Sequence, residues 1–527
     1  MGLDPIKIEV EVTALAGIPN LVIIGLPNKA IEEARERITA CFSVLKIPLK
    51  HRRTIVNLAP ADVKKTRSSL ELAILAGLLQ LYNVLKLPAH SMLFGELSLA
   101  GDIKPISGLL PLVLAAKKMG ARHVFIPAGN SDQLPTLPNL NIYPLHHVHQ
   151  LLGYSKRQNW PRHSPALATD PTVLANEKQV THPFSTIIGH ETAKRALQIA
   201  VAGKHNILLI GPPGTGKTRL AQAIPQLLPP LTTQQSLEVT SIYSLHYPTS
   251  ALMVNAPFRS PHHSISLAAM LGGGVHLSPG ELALAHRGVL FLDELAEFPR
   301  HILEALRQPI EDRVVTVSRV QGSTTYPCNF QLIAATNPCP CGFYGSQNRP
   351  CSCSTNQISS YWRKFSGPLW DRFDMHLWLE AIPTSQLLRT NHSYQENYRK
   401  FHQKIEDATS KQKSRYQNNH LKNGDCPSDS LSYILANLHE TAQHLLSTAT
   451  TKLSLSSRAV LKILAVSQTI ADLENSASIT SEHIQEALSY RLSQEMLTPS
   501  RTDQSQYSNI QKTHNGRASS YTPSSTN

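Results

Sequence analysis

Apolar and polar residues alternate over positions 6–12, the two-residue period of a half-buried strand, and 21–24 form a second short apolar run. From 28 to 45 the spacing becomes helical, with Ile31, Ala34, Ile38, Phe42 and Leu45 sharing a face. A strand is expected at 54–58 and a helix at 70–85 capped by Ser69. Residues 92–103 look like a hairpin, 111–120 like a helix and 123–126 like a strand. Together these make an α+β unit over residues 1–152. Residues 153–182 lose all periodicity and hold Gly153, Pro161, Pro165 and Pro171, as a linker does.

A second unit is expected at 183–381, where apolar runs at 206–210, 289–292 and 332–336 have the length of buried strands. A helical third unit follows at 382–497, with amphipathic stretches at 431–446, 457–473 and 481–494, the last capped by Ser481. Residues 498–527 are Ser, Thr, Asn and Gln with few apolar positions, a composition that predicts disorder. No internal repeat is visible.

A chain of 527 residues exceeds one hydrophobic core, so several domains are required. Its longest apolar stretch, 109–116, is too short to span a bilayer. The first twelve residues carry Asp4, Lys7, Glu9 and Glu11 and no apolar signal core, which predicts a cytoplasmic protein without a membrane partner. Fifty Lys and Arg against 37 Asp and Glu leave a net charge of +13, which suits a polyanion such as nucleic acid. Many proteins that bind no DNA are equally basic, so charge alone does not choose.

The chemistry concentrates after the 206–210 run. Gly211-Pro-Pro-Gly-Thr-Gly-Lys-Thr218 is a complete phosphate loop between a strand and a helix. Gly211, Pro212, Pro213, Gly214, Thr215 and Gly216 shape a loop whose backbone N–H groups converge on phosphates. Lys217 is expected to reach the β and γ phosphates of ATP, and Thr218 to ligate Mg²⁺. The 289–292 run ends in Asp293, placed for the Mg²⁺ shell, and Glu294, placed to activate water. Asn337 ends the 332–336 run and is expected to orient that water. Arg372 stands where a ring neighbour could present it to a γ-phosphate, or where it could pair with Asp371 or Asp374. Arg458, in Leu455-Ser-Ser-Arg-Ala459, is expected to be a lid arginine near the γ-phosphate.

The run from His205 to Thr218 resembles the Mg-chelatase-like ATPases of the ComM/YifB family. So do Phe258-Arg-Ser-Pro-His-His263, Pro279-Gly-Glu-Leu282, Gly288-Val-Leu-Phe-Leu-Asp-Glu-Leu295 and Asn337-Pro-Cys-Pro-Cys-Gly342. Gly25-Leu-Pro27 and Asn57-Leu-Ala-Pro-Ala-Asp62 extend the likeness to the first unit, so it covers about residues 5–495. The resemblance implies a Lon-protease-like α+β N-terminal domain, an AAA+ αβα P-loop domain and a helical C-terminal lid. It further implies a homo-hexamer that uses ATP to drive branch migration of DNA during natural transformation. The chain starts later than its relatives do, which implies that their first strand is missing.

Two inserts are expected to line the pore of such a ring. One is 258–281, with Arg259, His262, His263 and a flexible Gly272-Gly-Gly274; the other is a hairpin at 314–327, with Arg313 and Arg319 beside it or on it. Each arginine has an alternative partner in an internal carboxylate. Cys339, Cys341, Cys351 and Cys353 offer four thiolates across one short loop, a donor set suited to structural Zn²⁺. Cys41, Cys328 and Cys426 are isolated. Lon-type proteases pair a serine with a lysine; Ser69 aligns near the serine, but Leu110 and Leu112 stand where the lysine would be. The Lon-like unit is therefore expected to be inactive. Two rival readings are a subunit of a metal-inserting chelatase and an ATP-dependent protease.

Overall fold

The computed structural model describes residues 5–18, 20–25, 28–48, 53–60, 68–157, 159–162, 187–246, 252–274, 277–319, 322–346, 349–382, 394–417, 421–425 and 431–492. The tail at 498–527, Cys426 and most of the expected linker lie outside the described residues.

The nucleotide-binding unit is built on a parallel five-stranded sheet. Its order is Phe258–Arg259, Val289–Leu292, Gln331–Thr336, Ile207–Ile210 and Met375–Trp378. Both faces are covered, which is why the strands read as unbroken apolar runs. Ile207, Leu209 and Ile333 point into a core shared with helix Glu191–Gly203 and with Ile463, Ile470 and Ile484 of the C-terminal helices. Leu208, Ile210, Leu290 and Leu332 face the opposite side, toward Met270, Trp362 and Phe365. The helical third unit therefore completes one face of the sheet instead of standing apart.

That unit differs from expectation in three places. Helix Tyr394–Tyr416 went unforeseen, because its described apolar face is thin: Ile405 and Ala408 are buried among charged neighbours. The 431–446 stretch breaks into Leu431–Ala436 and Glu440–Lys452, since Leu438 leaves the helix to bridge to Ile479. The last helix, Ser481–Ser489, starts one residue after Thr480, whose N–H donates to Nδ1 of His483 (3.1 Å); Ser481 is not its cap.

In the first unit, Arg53–Ala59 sits between Glu9–Leu15, antiparallel to it, and Asn20–Ile24, parallel to it. A second parallel sheet joins Ser91–Leu93, His123–Pro127 and Asn141–Leu145. The hairpin expected at 92–103 thus splits: its first strand enters that sheet, and only Glu96–Leu97 pairs with Ile103–Lys104. Helix Glu71–Leu81 is shorter than expected and is not capped by Ser69; Gly95 clamps its start, donating to Ser69 O and accepting from Leu72 N–H. Helix Val148–Arg157 passes through residue 153, because Val148 and Leu151 are buried in the core. The first unit therefore extends beyond the expected boundary at 152. It docks on helix Thr233–Ser244, with Gly108 N–H donating to Ser244 O (2.9 Å) and Leu237 packed against the apolar cluster that holds Leu109 and Leu110. Ser69 and Leu112 line one cavity of about 560 Å³. No helix among the described residues is long and apolar enough to cross a membrane.

Candidate nucleotide site

Three adjacent strand ends converge. Ile207–Ile210 runs into the phosphate loop, Gln331–Thr336 beside it ends at Asn337, and Val289–Leu292 on the far side of that strand ends at Asp293. Gly214 and Gly216 take left-handed φ values of 78° and 80°, and a Cβ on Gly214 would meet nothing within 4 Å. The loop is thus open where phosphates would lie, while Gly211 is closed by Leu379 O, 2.6 Å from a Cβ placed there. Gly216 caps helix Lys217–Ala223 in a left-handed conformation, so the helix N-terminus points its free N–H groups into that space.

Lys217 Nζ donates to Gly211 O (2.6 Å), Pro212 O (2.8 Å) and Asn337 Oδ1 (3.2 Å). Burial pulls its pKa down to about 8, against the opposing pull of Asp293 and Glu294. Thr218 Oγ1 donates to Asp293 Oδ2 (2.7 Å), and Asp293 Oδ1 accepts from Glu294 N–H (2.9 Å). The hydroxyl and carboxylate suited to a shared Mg²⁺ are therefore already side by side, and the donor set fits a hard cation with a phosphate chain. Glu294 has a left-handed φ of 50° and reaches toward His263, 3.6 Å away.

Arg372 and Arg458 form a second cluster. Both pair with Glu311, Arg458 at 2.5 Å. The carboxylates closer to Arg372 in sequence are taken elsewhere: Asp371 by Arg491, and Asp374 by Lys462 and by Asn206 N–H. Burial lowers the pKa of Arg372, Glu311 opposes the shift and Arg458 adds to it. Among the described residues neither arginine contacts the phosphate loop of its own chain. Arg458 thus stands with Arg372 on Glu311.

The two inserts pack on each other. The hairpin Val314–Arg319 with Gly322–Pro327 buries Val315, Val317 and Tyr326, and Tyr326 OH donates to Leu277 O (2.5 Å). The glycine run starts as a tight crossing, where a Cβ on Gly272 would come within 2.8 Å of Ser278 O, whereas one on Gly274 would meet nothing within 4 Å. Two of the three arginines proposed for a pore are committed internally. Arg259 makes a two-pronged pair with Glu281, and Arg313 pairs with Asp425 (3.0 Å). Arg319, at the hairpin tip, has no ion pair among the described residues.

The four cysteines converge. Their Sγ atoms lie within 4.8 Å of one another. Glu311 gained no role from the sequence, and His263, expected in a pore insert, stands beside Glu294 instead. Glu311 gave no signal in its charged segment, whereas His263 stood in a motif that already resembled the family. The imidazole of His190, held toward the neutral form by burial, lies behind Gly216, and nothing in its sequence context marks it.

The parallel sheet, phosphate loop and helical layer are those of an AAA+ protein of the Mg-chelatase-like kind. The family description "Magnesium chelatase, subunit ChlI" matches residues 183–387, "Subunit ChlI of Mg-chelatase" matches 10–130, and "Magnesium chelatase, subunit ChlI C-terminal" matches 395–491. The chain is 37% identical over 497 residues to the uncharacterized protein YifB of Escherichia coli K12, covering 93% of this chain and 95% of that one. It is 36% identical over 503 residues to the competence protein ComM of Haemophilus influenzae, covering 93% and 96%. A magnesium-chelatase subunit ChlI from Olisthodiscus luteus is 28% identical over 180 residues, 31% of this chain and 54% of that one. The chain belongs to the Mg-chelatase-like ComM/YifB family.

Proposed function

We propose that this protein is a cytoplasmic, hexameric ATP-driven DNA motor that promotes branch migration in recombination linked to competence. The observation that carries the reading is the division of arginines from loop. Lys217, Thr218, Asp293, Glu294 and Asn337 gather on one chain, while Arg372 and Arg458 sit together on Glu311 without touching that loop. Such a site is completed by a neighbour's arginines, which makes hydrolysis a property of a ring. The likeness to a competence protein over nearly the whole chain points the ring toward DNA, and the net charge of +13 agrees.

In this mechanism Lys217 leaves the loop carbonyls to bind β and γ phosphates. Thr218 and Asp293 hold Mg²⁺, which when bound neutralises phosphate charge and polarises the γ-phosphoryl group. Glu294 accepts the proton of the attacking water and Asn337 orients that water. Arg372 and Arg458 of the adjacent subunit stabilise charge developing on the γ-phosphate. Arg319 grips the DNA backbone from the pore hairpin. The first unit is a Lon-like scaffold without peptidase activity, because Leu110 and Leu112 supply no base for Ser69.

The test is ATP hydrolysis with and without DNA, run beside dissociation of a labelled three-strand junction. Stimulation by DNA and ATP-dependent junction movement are expected, both lost in Glu294→Gln. Arg319→Ala is expected to lose junction movement and keep DNA-free hydrolysis. Absence of DNA binding at low salt by the assembled, ATP-bound protein refutes the motor, and ATP-stimulated proteolysis lost in Ser69→Ala would favour the protease instead.

A further inference from the structure

The cysteine loop does more than present thiols beside the catalytic strand. We propose that Cys339, Cys341, Cys351 and Cys353 hold one structural zinc ion, and that this ion supports the wall of the nucleotide site formed by Asn337 and Pro213. The site part rests on the sulfur geometry alone; the coupling part rests on the nucleotide-site reading above.

The sulfurs already outline a tetrahedron. Sγ of Cys339 lies 3.4 Å from that of Cys341 and 3.6 Å from that of Cys351, and Cys341 and Cys351 are 3.5 Å apart. Zinc–sulfur bonds of about 2.3 Å give tetrahedral edges of about 3.8 Å, so a slight outward movement admits the ion. All the thiols are free. Backbone N–H groups aim at the sulfurs: Tyr344 at Cys339 (3.3 Å), Cys341 at Cys353 (3.4 Å) and Cys353 at Cys351 (3.4 Å). Such donors offset thiolate charge and orient ligands from behind. An all-sulfur tetrahedron excludes Mg²⁺ and Ca²⁺, which take oxygen.

The loop is short and is anchored at both ends. It leaves strand Gln331–Thr336 at Asn337 and returns at Ser354, the side-chain cap of helix Thr355–Trp362. That helix holds the loop's first two residues: Tyr361 OH donates to Asn337 O (3.0 Å) and Trp362 Nε1 to Pro338 O (3.1 Å). Beyond them, among the described residues, Cys339 and Gly342 are buried, and Cys341, Tyr344, Cys351 and Cys353 pack partly buried against the core. Gly342 then turns with φ 85° directly against the phosphate loop, where a Cβ would stand 2.8 Å from the Pro213 ring. Asn337 in turn accepts from Lys217. Zinc thus braces a loop that touches the phosphate loop from outside and carries the water-orienting residue at its start.

The experiment combines metal analysis with nucleotide titration on the full chain. Protein purified without chelator should carry one zinc per chain, and Cys341→Ser with Cys353→Ser, both only part-buried, should lose it. Zinc release from the wild-type chain by a thiol-reactive mercurial, with Mg²⁺ kept present, should weaken binding of a fluorescent ATP analogue at least tenfold while the far-ultraviolet circular dichroism persists. Dithiothreitol plus zinc should restore it. Gly342→Ala should keep the zinc and weaken the analogue. Sub-stoichiometric zinc overturns the site. Stoichiometric zinc whose removal leaves the affinity within twofold overturns the coupling. Either result stands whatever the DNA assays give.

Discussion

Arg415→Met isolates a buried charge at the joint between the lid helices. Arg415 in helix Tyr394–Tyr416 pairs through both terminal guanidinium nitrogens with Asp472 at the end of helix Ser457–Leu473, one contact at 2.8 Å. Asp472 is only 2% exposed, so its carboxylate cannot turn to water when the arginine is gone. Two neutral donors remain, Asn423 Nδ2 (2.9 Å) and Gln468 Nε2 (3.2 Å). Breaking a buried pair from one side costs about 3–5 kcal/mol, and the remaining donors place this site near the lower figure. Helix Tyr394–Tyr416 has few apolar anchors, so it has little with which to offset the loss. Adding Asp472→Asn removes the stranded charge and should recover more than half of it. The assay is chemical unfolding of the four proteins of the double-mutant cycle, followed by circular dichroism, with coupling of about 2 kcal/mol or more expected. A single-variant loss below about 1 kcal/mol, or a double variant as unstable as the single, refutes the reasoning.

Further outcomes follow from other contacts. Burial alone would raise the pKa of Glu238, but His286 and Arg287 outweigh it and bring it down to about 2. Its contribution, at most about 3 kcal/mol, is present above pH 4.5 and lost as pH falls toward 2; acid titration of stability should flatten in Glu238→Gln. Gly288→Ala would place a Cβ 2.0 Å from Pro257 O, where Val289 N–H now donates (2.8 Å). It should part strand Phe258–Arg259 from Val289–Leu292 and cost about 3 kcal/mol, read as a lowered unfolding midpoint. Arg372→Ala and Lys217→Ala should each abolish hydrolysis, by about 10³-fold for the arginine, and mixed subunits should regain part of it. A mixture that stays inactive while subunits exchange rules out the arginine acting between subunits.

Local pattern was enough to find the strands at 207–210, 289–292 and 331–336, because burial on both faces leaves an unbroken apolar run. It also foretold that Lys217, Thr218, Asp293 and Asn337 would lie together, because each follows such a run or the loop that joins one to its helix. Parallel strands bring those ends to one edge, so order along the chain already implies proximity. The four cysteines converge for a related reason, since all lie on one short loop. The partners of the arginines were decided otherwise. Arg372 and Arg458 meet on Glu311, which is 61 and 147 residues away from them, and Arg313 meets Asp425 across 112. Charged surface residues carry no periodic mark of their partner, so only the docking of whole helices selects it. The contact of Gly342 with Pro213 is of the same kind. A glycine records that backbone comes close, while which backbone approaches is settled by the packing of the sheet and the helices around it.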